Sequence, residues 1–331
     1  EIMIQDTNNR IYQLSANGNV NWTKPLDGPI LSDIHQVDLY RNDKLQYLFN
    51  TRDNIHGIDR EGDHVKGKGY PKRIPKATNG LMVVDYAGRK EYRIFVATEG
   101  GRIHGYLRDG SSLPGWNPKN GVGNIFLPME HVLADGKDYL MAQTDEGLFH
   151  LYARNGDPRT PPVRWNSTFN NRFGVDISQL PHRIVSTNVD GTTFVTNFTG
   201  KYFNLESPVG SNQNVRFLFA NVLGDERKET ILLSQQDLAI YEHDQAQLEY
   251  QFPHIQDELF EVQLPNSEVS AIGTLSLGQQ EIHLLDANGQ LYPDFPLAGT
   301  TRFQIAHLFG DDRLILVVAN GAEVYAYRLR L

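Results

Sequence analysis

The chain has 331 residues, 40% of them hydrophobic, which is ample for a large buried core. Its net charge of −9 argues against a general nucleic-acid binder, which needs basic groups to displace phosphate counterions. The absence of cysteine removes disulfides, thiol catalysis and cysteine-ligated zinc together. The longest wholly apolar run, LILVVA at residues 314–319, is too short to cross a bilayer, and no stretch reads as a signal peptide.

The opening EIMIQD already reads as a strand in progress, so Glu1 reads as an internal or processed start. RIYQLSANG, ending at Gly18, is then the first copy of a nine-residue motif. NIHGIDREG ends at Gly62, RIHGYLRDG at Gly110, LFHLYARNG at Gly156, TTFVTNFTG at Gly200, DLAIYEHDQ at Gln245 and EIHLLDANG at Gly289. EVYAYRLRL closes the series at Leu331. Successive spacings are 44, 48, 46, 44, 45, 44 and 42 residues, and so even a period marks a repeat architecture.

Each copy has the same anatomy. A first strand such as HQVDLY or LMVVDY enters a turn, and an apolar second strand such as LQYLFNT or YRIFVAT follows. The nine-residue motif is the third strand. A short fourth strand carries an aromatic with proline close behind, as in Trp22 and Pro25, Tyr70 and Pro71, Trp116 and Pro118, Phe252 and Pro253, and Phe295 and Pro296. Proline suits an edge strand, where its missing donor costs nothing. Four strands per 42 to 48 residues predict an all-β, eight-bladed β-propeller of four-stranded antiparallel blades, with a seven-bladed ring as the alternative. The repeats fall at about 1–28, 29–76, 77–124, 125–168, 169–208, 209–255, 256–299 and 300–331, as one domain. The first lacks its innermost strand and the last its outermost, so an upstream segment of the intact protein is expected to close the ring.

His56, His104, His150 and His283 occupy the slot held by Tyr12, Phe194 and Tyr325 in sister copies, with Ala239 the exception. A slot that accepts any flat ring is a packing position between blades. Lys66, Lys68, Lys72, Arg73 and Lys76 form the only basic cluster in sequence, and it reads as a lysine-protected outer edge. The sequons at Asn21, Asn166 and Asn197 read as strand or turn asparagines.

The third strand, glycine turn and aromatic of IYQLSANGNVNW resemble the repeat of pyrroloquinoline-quinone-type propellers. NVLGDERKETILL is similar to the degenerate calcium loops of integrin-type propellers. IMIQDTNNRIYQLSANGNVNW, HQVDLYRNDKLQYLFNT, NGLMVVDYAGRKEYRIFVAT and LLDANGQLYPDFPLAG resemble the C-terminal propeller of an uncharacterised, envelope-anchored bacterial protein family. That resemblance runs nearly end to end. It implies an extracytoplasmic location in the bacterial cell envelope and a long region upstream of Glu1, but no activity.

No chemistry announces itself. Quinoprotein dehydrogenases hold their cofactor beside a cysteine pair that this chain lacks, so no cofactor is expected. Asn221, Asp225, Glu226 and Glu229, and likewise Asp311 and Asp312, offer oxygens in calcium-loop positions, but turn chemistry explains them without a metal. A serine nucleophile elbow, a phosphate loop and an HExxH motif are all missing. The expected function is a non-catalytic scaffold that binds a partner protein or a surface glycan, and no nucleic acid. The alternative is a carbohydrate-active or other hydrolytic enzyme working in the central funnel.

One set of polar residues follows from the repeat. Thirteen residues before the second-strand ends at Thr51, Thr98, Thr144, Ser234, Ser276 and Asn320 lie Asp38, Asp85, His131, Asn221, Gln263 and His307. The fifth copy supplies Asp176. These seven are the candidate binding residues, expected as a polar rim of the central channel. Their plainer role is to accept hydrogen bonds from their own turns.

Overall fold

A computed structural model describes the chain except residues 117–122, 165–170, 206–213, 226, 243–244, 287 and 331. Pro118, Asn166, Glu226 and Leu331 therefore lie outside the described residues. All regular structure among the described residues is β, arranged as eight antiparallel sheets of three or four strands. The chain divides into two compact units, Glu1–Phe169 and Asn170–Leu331.

The first unit holds four sheets. β1 (Ile2–Gln5), β2 (Arg10–Leu14) and β3 (Val20–Pro25) form the first, and β4 (His35–Val37), β5 (Gln46–Asn50), β6 (Asn54–Ile58) and β7 (Lys72–Arg73) the second. β8 (Met82–Val84), β9 (Arg93–Thr98) and β10 (Arg102–Leu107) form the third. β11 (Glu130–Ala134), β12 (Lys137–Gln143), β13 (Leu148–Tyr152) and β14 (Val163–Arg164) form the fourth. Strands follow chain order across every sheet, as hairpin connections dictate. Lys72 and Arg73 thus make the outermost strand, as the basic cluster suggested. In the third sheet Trp116 belongs to no strand; it packs on Phe95 at 4.7 Å and donates from Nε1 to Ile103 O at 2.9 Å.

The second unit repeats the plan. β15 (Gly174–Asp176), β16 (Arg183–Thr187), β17 (Thr193–Thr196) and β18 (Tyr202–Leu205) form its first sheet. β19 (Arg216–Ala220), β20 (Glu229–Ser234), β21 (Asp237–Glu242) and β22 (Gln245–Gln251) form the next. β23 (Glu258–Gln263), β24 (Ser270–Ser276), β25 (Glu281–Leu285) and β26 (Leu297–Ala298) follow. β27 (Gln304–Ala306), β28 (Ile315–Asn320) and β29 (Glu323–Arg328) complete it with three strands.

Within each unit the core is not one mass but a layer between one sheet and the next. Val37, Leu48 and Ile55 of the second sheet pack with Ile94, Val96 and Tyr106 of the third. Ile231, Leu238 and Ile240 pack with Leu259, Ile272 and Leu285 in the second unit. A middle strand therefore has a dry layer on both faces, which is why QYLFN and SAIGTLS are buried throughout instead of alternating.

The histidine slot lies in these layers. His56 stacks on Phe49 at 5.3 Å and bonds Asp27 Oδ1 through Nε2 at 2.8 Å, while His283 meets Phe252 of the preceding sheet edge-on at 5.2 Å. Burial pushes both imidazoles down, His283 to about 4, while Asp27 partly restores His56. The recurrent glycine has two reasons. Gly62 adopts φ +88°, and a Cβ there would sit 2.7 Å from the Trp22 ring of the preceding sheet, whose Nε1 donates to Arg60 O.

Buried asparagines tie sheet to sheet. Asn50 Nδ2 donates to Thr51 O and Asn79 O, and its Oδ1 accepts Leu81 N–H at 2.8 Å. Asn171 does the same in the second unit, bonding Thr187 O, Val215 O and Phe217 N–H.

Candidate functional site

Six of the seven candidate residues end a first strand or directly follow one; His131 lies inside β11. Each is engaged within its own turn or by the turn beside it. Asp38, 1% exposed, accepts the Asn42 and Asp43 amides at 3.0 and 2.8 Å and the Lys90 ammonium at 2.7 Å. Burial opposes its ionisation, but Lys90 and the two amides prevail and hold the carboxyl at about 2. Asp85 accepts the Arg89 and Lys90 amides. Lys90 thus joins Asp38 and Asp85, one through its side chain and the other through its backbone.

In the fourth sheet His131 Nε2 meets Asp138 Oδ1 at 2.8 Å, and Asp138 also pairs with Arg154. The Arg154 guanidinium lies 4.4 Å from the Tyr86 ring centroid, and His131 meets Tyr86 edge-on at 5.1 Å. Burial pushes Tyr86 up to about 12. Burial also opposes the charge on Asp138, yet Arg154 and His131 keep its carboxyl below the usual range.

In the second unit Asp176 accepts the Ser178 amide and hydroxyl and pairs with Arg183 at 2.8 Å. Asn221 Oδ1 accepts Gly224 N–H. Gln263 accepts the Ser270 hydroxyl and donates to Ser267 O, and His307 Nε2 lies 3.4 Å from Asn266 Nδ2 of the neighbouring turn. Glu229 Oε2 accepts the Val222 and Leu223 amides, and burial still raises its carboxyl. Asp225 caps Arg227 N–H. Among the described residues no three His, Asp or Glu side chains gather closely enough to hold a metal ion.

These partners free the neighbouring side chains to face solvent. In the first unit Tyr40 and Leu45 are exposed on the first turn of the second sheet and Leu133 on β11. In the second, Ile177 and Leu180 are exposed on the fifth sheet and Phe309 on the eighth, with Leu223 and Leu264 half-buried on the two turns between. Leu180 is 79% exposed and Leu133 56%, which no packing demand explains. Sequence reasoning passed over them, and the apolar residue that follows the polar one in seven copies does not mark them, since Leu39 and Val222 at that place are buried.

The surrounding charge differs between units. Asn170–Leu331 carries ten of the chain's 31 Lys and Arg but twenty of its 40 Asp and Glu, whereas Glu1–Phe169 is nearly balanced. The second unit's first turns display acids, among them Asp225, Glu268 and Asp312.

No family model matches the chain, and no curated protein sequence matches it. Solved structures do. The chain is similar to the computationally designed Ika8 protein, with 10% identity and a TM-score of 0.62 over 99% of this chain and 95% of that one. It is similar to BamB from Moraxella catarrhalis, with 14% identity and a TM-score of 0.57 over 99% and 91%. It is similar as well to BBS1N in complex with ARL6DN, soaked with lead, with 14% identity and a TM-score of 0.59 over 83% and 84%. Identities this low speak to architecture alone. With its eight antiparallel sheets in chain order and no helix among the described residues, the chain has the fold of a β-propeller.

Proposed function

We propose that this propeller is a non-catalytic scaffold that docks a partner protein on its first-turn rim, in the bacterial cell envelope. The observation that carries the reading is the set of exposed apolar side chains beside the polar residues, Ile177, Leu180 and Phe309 in the second unit and Tyr40, Leu45 and Leu133 in the first. Asp38, Asp85, His131, Asp176, Asn221, Gln263 and His307 then shape the binding rim and brace it, while their apolar neighbours make the contact. A rigid turn loses little entropy on docking, so even small apolar anchors bind productively. Aliphatic anchors such as Ile177, Leu180 and Leu133 favour a protein over a glycan, which prefers aromatic platforms and free amides. The acidity of the second unit favours a partner whose facing surface is basic.

The BBS1N structure, a protein complex, supports a binding role by likeness of fold. The envelope location rests on the resemblance of the repeats to an envelope-anchored family. No helix among the described residues is long and apolar enough to cross a membrane. A hydrolytic role in the funnel has less support, because Asp38 and Asp176 already carry counter-charges and amide donors.

Photo-crosslinking residues placed at Leu180 and Phe309 in the native host test the reading in the second unit. A shared protein adduct at these positions, and none at Leu277 or Ile255, is expected. Equal labelling at all four sites, or none above background, refutes it.

A further inference from the structure

Four copies hold a histidine in the ring slot, and in the second copy another histidine lies against it. His64 stacks on His56 with ring centroids 5.9 Å apart and pairs with Ile58 as an isolated bridge. Ser112, Pro158 and Leu291 make the matching bridge beyond His104, His150 and His283. The repeat therefore asks for one ring in the slot and not for a stacked pair.

The pair has no accommodation for charge. His56 Nε2 meets Asp27 Oδ1 at 2.8 Å, but Nδ1 of His56 and Nδ1 of His64 are both buried without a hydrogen-bond partner. A protonated imidazole carries a hydrogen on each nitrogen, so either ring, once charged, buries an N–H that nothing accepts. Burial is accordingly the largest influence on both, and it pushes them below the ordinary imidazole range. The charges facing the pair are Asp27, in the connection after β3, Lys24 of β3 and Asp63 next to His64. Asp27 favours a proton on His56, and the Gly57 main chain and Asp63 favour one on His64. Lys24, held by a bond from its ammonium to Gly62 O at 2.8 Å, opposes both, and a charge on His64 opposes one on His56.

Around this pair the first sheet is tied to the second. Trp22 Nε1 donates to Arg60 O, and Asp27 accepts Thr51 Oγ1 at 2.8 Å and Asn54 Nδ2 at 2.9 Å. Leu31 N donates to Asn50 O at 2.9 Å. Burial opposes the charge on Asp27, yet Asn54, Thr51 and His56 hold its carboxyl below the usual range.

We propose that this joint is an acid-sensitive latch: when the His56–His64 pair takes up protons, the first sheet loosens from the second while the second keeps its hold on the third. Both rings take a proton more readily once the joint is open. Closure is therefore complete above about pH 6.5 and is lost as the pH falls below it. The latch goes beyond the docking reading and uses none of its residues.

Native-state amide exchange on the 331-residue chain in low urea tests it, because global unfolding steepens strongly with urea and the opening of one joint only weakly. Between about pH 7.5 and about pH 5.5 the weakly urea-dependent opening seen at the Leu31 amide should grow at least about tenfold. At Leu81, whose amide bonds Asn50 Oδ1 at the next joint, such opening should stay as it was. His64→Ser, which copies Ser112, should remove most of the growth at Leu31, and His283→Phe should leave it intact. The ring Cε1–H shifts of the unaltered chain give a check that needs no variant: His56 and His64 should titrate below the ordinary imidazole range and in step with the Leu31 opening. Equal growth at Leu31 and Leu81, growth that survives His64→Ser, or rings that titrate at the ordinary value overturn the latch. Crosslinking at Leu180 has no part in these outcomes, so the latch and the docking surface stand or fall separately.

Discussion

Asn50 is the sharpest place to test how the sheets are held together. Asn50→Ala removes two donations, to Thr51 O and Asn79 O, and one acceptance, from Leu81 N–H. Each bond is worth about 1 kcal/mol net, and a buried group left unpaired costs about 1–3 kcal/mol. Asn50 is fully buried and Leu81 2% exposed, so water cannot replace the lost acceptor cheaply. The expected loss is about 3–5 kcal/mol, a large share of the stability of an ordinary domain. Urea unfolding followed by tryptophan fluorescence measures it, and the Leu81 amide should show the largest local gain in exchange rate. Asn50→Asp keeps an acceptor for Leu81 but buries a charge against two carbonyls, so it should be no better tolerated. A loss below about 1 kcal/mol for Asn50→Ala, with Leu81 still protected, would refute the view that this side chain joins the second sheet to the third.

Other expectations follow from the same geometry. Gly62→Ala should cost about 2–4 kcal/mol, from the left-handed backbone and the approach of Trp22, and about half of that should vanish in a Trp22→Ala background; equal costs in both backgrounds would discount the ring contact. His283 titrates near 4 when folded and near its ordinary value when unfolded, so from about pH 6.5 downward the unfolded chain takes up a proton that the folded one refuses. Stability should therefore be full above that range, fall by about 3 kcal/mol towards pH 4 and then level; His283→Phe should flatten that part of the profile. Asp176→Ala should lower stability by about 1–3 kcal/mol, since it strips Ser178 and Arg183 of their acceptor; an unchanged melting curve would show that the residue does not brace its turn.

The architecture was legible because it is written eight times. A third strand of the same pattern, closed by a glycine turn in six of the eight copies, recurs along the chain, and IYQLSANG and IHLLDANG differ little. The candidate residues were half legible. Polar residues at the ends of first strands can be counted from the period, but their partners cannot. Lys90 reaches Asp38 from the next sheet, and Arg154 reaches Asp138 from a later turn of the same one. Such pairs depend on side-chain reach across the fold, which spacing along the chain does not encode.

Apolar layers shared between neighbouring sheets carry a further consequence. Each sheet owes its dry faces to its two neighbours, so within either unit cohesion is a chain of pairwise contracts rather than a common pool. Damage at one layer is felt by two sheets and little beyond. Such a molecule can drift in sequence one joint at a time, which is how copies with a histidine, a tyrosine or an alanine in the same slot coexist. It also unravels one joint at a time, so a unit's resistance to proteolysis is set by its poorest layer and not by the average of them all.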